Sequence, residues 1–177
     1  MGPLLRLPGL PLLGLILVIG GCSTAPQDPQ EGLQLCLPRA GQAVPIQVEV
    51  AATQAQRQQG LQGRESLDRR SGMLFLYDQS QPPEQGFWMF RTRIPLSVAW
   101  LDRNGQVVGM QSMSPCSAAS STECQVYPAG VSFQAALEVN DGLFEQLGVN
   151  QNDTVRVASG PREQPCASSR PFSTLLD

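Results

Sequence analysis

The chain has no histidine and no lysine, so all twelve basic residues are arginines. Without an imidazole, Ser-His-Asp and Cys-His schemes are excluded, as are metal sites built on His. Without a lysine there is no Schiff-base chemistry and no amine general base. Charge is also sparse: 15% of residues carry it, and the formal net charge is −3. That balance argues against nucleic acid, which requires a basic face, and against electrostatic attachment to anionic lipid. No CxxC spacing exists to hold zinc. Long apolar runs are missing except over residues 4–20, where Pro8 and Pro11 interrupt the stretch. It is short of the roughly 20 residues of a membrane span, and prolines break helices.

That run ends in Val18-Ile19-Gly20-Gly21-Cys22-Ser23. A basic start (the amino terminus and Arg6), an apolar centre, two small residues and a cysteine read as a bacterial lipoprotein signal. Small side chains beside the scissile bond suit the signal peptidase, and the Cys22 thiol takes the diacylglycerol. The expected mature protein therefore begins at Cys22, outside the cytoplasm, held to a membrane by lipid. In a Gram-negative cell, Ser23 is permissive for delivery to the outer membrane, facing the periplasm. Loss of Arg6 leaves eleven arginines against fifteen acids, a net charge of about −4.

Four cysteines remain: Cys36, Cys116, Cys124 and Cys166. An even number in an exported chain suggests two disulfides, for which three connectivities exist. Cys116 and Cys124 bracket a short polar loop, so their pairing makes a local staple and leaves Cys36 with Cys166. Free, buried cysteines are the alternative.

Residues 1–21 are assigned to the signal peptide and 22–34 to a lipidated, Pro-containing tether. Residues 35–160 form one β domain, and 161–177 a C-terminal tail. Period two dominates the domain. Val44–Val50 alternates apolar and polar as a half-buried strand does, and Gly72–Tyr77 and Phe87–Phe90 are continuous apolar runs. Ser97–Leu101 and Gln106–Met110 flank Asp102-Arg103-Asn104-Gly105, where Asn-Gly signals a hairpin. Phe133–Val139 and Thr154–Val157 complete seven strands. Thr53 caps a short helix over Gln54–Gln59 that Gly60 ends, and a second helix is expected over Gly142–Gly148. The expected fold is mostly β: a compact sandwich or partly open barrel with one or two short helices.

Several residues occur in a telling order: Arg57, Gly60-Leu61, Gly63-Arg64, Leu67, Gly72-Met73-Leu74-Phe75, Phe87-Trp88-Met89, Thr92, Ile94-Pro95-Leu96 and Ala136–Gly142. Together, over residues 44–158, they resemble the domain-of-unknown-function 192 family. The resemblance implies a jelly-roll-like β fold and no established reaction. The chain departs from the family pattern at Arg91, where Asn is common, at Ser97, where Asp is common, and at Asn152, where Gly is common. Asn tolerates the left-handed backbone that a Gly would take.

Arg57, Arg64, Trp88 and Glu138 are the candidate ligand-binding residues. Two guanidiniums beside an indole can hold a carboxylate, phosphate or sugar acid by bidentate bonds and stacking. Alternatively each Arg bonds backbone carbonyls or pairs with an acid such as Glu138. Glu138 lies in an apolar strand, so burial without a partner would raise its pKa. Trp88 and Met89 read more readily as core. Met73, Met89, Met110 and Met113 offer thioethers for copper, but a spacing of three puts Met110 and Met113 on opposite strand faces. No cofactor and no metal are expected. The sequence thus points to a non-enzymatic envelope lipoprotein that binds an anionic small molecule, a glycan or an envelope protein. A hydrolase using Glu138 with Asp141 or Asp102 is the alternative; it requires two carboxylates in one cleft at about 5–10 Å.

Overall fold

The computed structural model describes Gly2 and residues 32–177. Of the residues assigned to a signal peptide and tether, only Gly2 and residues 32–34 are described, so Cys22 lies outside the described residues. The rest is mostly β, with ten strands, two short α-helices and three single-turn 3-10 helices.

In chain order the strands are β1 (Leu33–Leu37), β2 (Val44–Ala51), β3 (Ser71–Gln81), β4 (Gly86–Trp88), β5 (Leu96–Leu101) and β6 (Val107–Met113). They continue with β7 (Val126–Pro128), β8 (Phe133–Asn140), β9 (Arg156–Ala158) and β10 (Ser169–Arg170); helices α1 (Gln54–Gln59) and α2 (Leu143–Leu147) lie between. Eight strands form one sheet in the order β10-β9-β1-β2-β3-β8-β5-β6, and β4 and β7 form a separate ribbon. Only β2 and β3 run parallel, because residues 52–70, including α1, carry the chain back to the same end. The sheet does not close. It curls until Gln106, just ahead of β6, bridges Thr154, just ahead of β9. The Val107 N–H donates to the Asp153 carbonyl at 2.8 Å there, and the Val155 N–H to that of Gly105 at 2.8 Å.

Both faces of the central strands are buried, which explains why β5 and β8 read as continuous apolar runs instead of alternating. On one face Leu74, Ala99, Leu101, Leu137 and Val139 pack with Ile46, Phe144 and Phe172. On the other, Met73, Phe75, Val98, Trp100 and Ala136 pack with Phe87, Met89 and Phe133. The second core is roofed by the β4–β7 ribbon and by the segment around Leu61. Met73, Met89 and Met113 are all buried in it, whereas Met110 is exposed.

Local signals determine the helix ends. Thr53 and Gln56 form a capping box: the Gln56 N–H donates to the Thr53 hydroxyl, and the Gln56 amide oxygen accepts from the Thr53 N–H. Gly60, at φ 46°, ends α1, with its N–H donating to the Gln56 carbonyl at 2.8 Å. The hairpin between β5 and β6 forms where Asn-Gly signalled it, but only Gly105 takes a positive φ, 82°. Asp102 completes the turn, its carboxylate accepting from the N–H groups of Asn104 and Gln106 at 2.8 Å each.

Both disulfides are present: Cys36–Cys166 across 130 residues and Cys116–Cys124 across 8. The segment assigned to a tail docks on the domain. There β10 pairs with β9, and Phe172 is fully buried in the first core.

Candidate functional site

A cavity of about 510 Å³ opens between α1, the outer half of β3 and the β4–β7 ribbon. Its apolar wall follows from strand alternation. Phe75 and Tyr77 on β3 point to the second core, and Phe87 on β4 meets Phe75 edge-on at 5.1 Å. Tyr77 packs edge-on against Phe133 at 5.6 Å. The rim is made of amides. Gln54, Gln58, Gln59 and Gln62 come from α1 and the turn after it; Gln79, Gln81 and Gln85 come from the opposite side. Trp88 also lies on the rim, 43% exposed, beside Val126 of β7, which is 53% exposed.

Glu138 lines the interior of this cavity. It sits on β8 between Met73 of β3 and Val98 of β5, its register partners, and is 4% exposed. Among the described residues its carboxyl has no hydrogen-bond partner. Burial alone pushes its pKa from an ordinary 4.5 up to about 8, so the group is largely a neutral acid at pH 7. Thr92, 4% exposed, lines the same space, and its hydroxyl is also unpartnered among the described residues. Burial pushes the Tyr77 phenol up to about 12; the Arg57 charge opposes that rise and Glu138 adds to it.

The four candidate residues separate. Arg57 lines the cavity, but its Nη1 donates to the Leu76 carbonyl at 2.8 Å and to the Ala52 carbonyl, and its guanidinium stacks on Tyr77 at 4.7 Å. Its partner ring is Tyr77, where the sequence suggested Trp88. Arg64 does not line the cavity; it holds both Glu49 oxygens, at 2.7 and 2.6 Å. Glu138 and Trp88 do share the cavity, and Trp88 belongs to the rim where the apolar run suggested core. Asp141 and Asp102 are not in the lining; the second carboxylate there is Asp78. Asp141 is kept below the usual carboxylate range by the hydroxyls of Ser112 and Ser97, with the Gly142 N–H adding to them against a small effect of burial.

The family departures have local reasons. Arg91 is in the left-handed region, φ 55°, where Asn is easier, and its guanidinium stacks over Phe90 at 4.9 Å. Asn152 has φ 76°, the conformation expected of a Gly replacement. Ser97 donates to Asp141 at 2.8 Å and accepts from the Gly142 N–H at 3.1 Å, so it orients a carboxylate instead of supplying one. Sequence reasoning missed Phe75, Tyr77 and the glutamines as cavity walls. Amides scattered over residues 54–85 have no period to detect.

The family model described as "Uncharacterized ACR" matches residues 36–157. The chain belongs to the domain-of-unknown-function 192 family. Two solved structures are similar to this chain. A Sinorhizobium meliloti 1021 protein described as a "putative transcription regulator" is 26% identical, with TM-score 0.63 over 71% of this chain and 92% of its own. A protein of unknown function from Novosphingobium aromaticivorans DSM 12444 is 28% identical, with TM-score 0.59 over 72% and 89%. No curated protein matches the chain.

Proposed function

We propose that this domain of unknown function 192 is a lipid-anchored binding module of the cell envelope that takes a neutral glycan in the glutamine-rimmed cavity. The observation that carries the reading is the pairing of an unpartnered, neutral Glu138 acid with an exposed Trp88 around one cavity. An indole face packs against a sugar ring, while amides, the Thr92 hydroxyl and a protonated carboxyl match hydroxyl groups that both donate and accept. A neutral ligand is favoured over an anion because the one guanidinium in the lining, Arg57, spends its Nη1 on backbone carbonyls. Two disulfides fit an oxidising compartment, and the sequence around Cys22 supports anchoring there through lipid.

Calorimetric titration with neutral oligosaccharides, alongside sugar acids of the same size, tests this. The expected result is a saturable change with the neutral sugars that weakens at least tenfold in Trp88→Ala. Binding through the neutral acid is expected to weaken as pH rises through about 8, where Glu138 ionises. Response to sugar acids alone, or to no oligosaccharide, would overturn the reading. One observation favours hydrolysis as a second reading: Asp78 shares the cavity with an acid whose pKa is raised as a general acid's is. Product formation that Glu138→Gln abolishes while binding persists would establish it.

A further inference from the structure

Three arginines mark a second cavity, which shares no lining residue with the glutamine-rimmed one. Of the eleven described arginines, Arg64, Arg93 and Arg103 pair with carboxylates. Arg57, Arg156 and Arg170 donate to carbonyl or hydroxyl oxygens, and Arg91 lies over a ring. Arg162 is engaged as well. Arg39, Arg69 and Arg70 remain, with no side-chain hydrogen bond or ion pair among the described residues. All three line one cavity of about 430 Å³, whose other walls are Leu143, Gln146 and Leu147 of α2.

No acidic side chain lines that cavity, in a chain where acids outnumber basic residues fifteen to twelve. Like charges converging without a counter-charge repel, and the arrangement is relieved when an anion enters. The backbone that presents them is braced. The Arg70 carbonyl accepts from the Gln47 N–H at 2.9 Å, where β2 meets β3. Just before it, the Asn140 amide donates to the carbonyls of Leu67 and Asp68 at 3.0 and 2.9 Å. Arg39 begins a turn in which its carbonyl accepts from the Gln42 N–H at 3.3 Å.

We infer that this cavity binds a phosphoryl group. Guanidiniums present forked donors that match the oxygens of a phosphoryl group, whether a phosphomonoester of about −1.5 to −2 or a singly charged phosphodiester. Three guanidiniums fall short of the roughly six to ten phosphate contacts of a nucleic-acid track. The buried leucines of α2 form an apolar floor for whatever carries the phosphate, which is either a soluble phosphoester or a phospholipid headgroup. The site is independent of the glycan reading.

The test uses the full chain in neutral detergent micelles, read by the side-chain Nε–Hε NMR signals of its arginines. Inorganic phosphate is one probe; phosphatidylglycerol doped into the micelles is the other; sodium chloride at matched ionic strength is the control. Saturable shifts confined to Arg39, Arg69 and Arg70, weakened at least tenfold in the R69Q/R70Q variant, are expected. If that variant melts early, Arg39→Gln, in a separate turn, takes its place. Shifts at lower concentration with phosphatidylglycerol than with phosphate identify the headgroup as the source; the reverse order identifies a soluble phosphoester. Chloride reproducing the shifts, or neither probe moving them, overturns the inference.

Discussion

Glu138 is flanked on its strand face by Met73 and Val98 and receives no hydrogen bond from the described residues, so folding transfers a carboxyl from water into an apolar wall. Its pKa rises on folding from about 4.5 to about 8. Between those values the native state holds a proton that the unfolded chain has released, so stability falls as pH rises through the window. Below about 4.5 both states are protonated and nothing is lost; above about 8 the full loss, on the order of 5 kcal/mol, has been incurred. Glu138→Gln keeps shape and polarity but cannot ionise. Its expected signature is a higher melting temperature than the parent at pH 8, with the difference disappearing near pH 4.5. Melting curves across that range check it; a parallel pH dependence in the variant would mean that the carboxyl is satisfied in solution.

α1 places Arg57 and three rim glutamines, yet it buries no side chain, so its stability comes from its ends more than from packing. Thr53→Ala removes the capping hydroxyl and is expected to cost about 1 kcal/mol. Because Arg57 and Gly60 move with the helix, ligand affinity should fall too, although Thr53 is not in the cavity lining. Paired urea melts and sugar titrations check this; unchanged affinity with lowered stability would show that the cavity wall is held by Arg57's carbonyl bonds instead. Elements of this kind were readable beforehand. Thr53, Gln56 and Gly60 act within a few residues of one another, as do Asp102 and Gly105. The three strands that sequence reading missed, β1, β7 and β10, are 5, 3 and 2 residues long and exist through distant partners. β1 needs β2 and β9, and β10 needs the C-terminal segment folded back. β3 extends over polar Asp78–Gln81, past its apolar run, because β8 continues beside it; that extension supplies one wall of the cavity.

Across the whole molecule, the curled sheet separates two apolar cores, and the C-terminal segment closes the first of them. Phe172 plugs that core, Asp177 pairs with Arg103 of the β5–β6 turn, and Cys166 bonds Cys36 of β1. The two disulfides therefore constrain very different lengths of chain. Closing a loop across 130 residues removes more unfolded-state freedom than closing one across 8. Loop-closure entropy puts the contributions at about 4–5 and about 2.5 kcal/mol. The Cys36→Ala/Cys166→Ala variant should accordingly lose more stability in urea melts than Cys116→Ala/Cys124→Ala. Neither pair lines the glutamine-rimmed cavity, so sugar affinity should be retained by both variants under conditions where they remain folded. The reverse order of stabilities would mean that native contacts outweigh chain entropy. The contacts responsible would be those at Cys116, whose carbonyl accepts from the N–H of Arg91 at 2.9 Å and thereby braces the one arginine held in the left-handed region among the described residues.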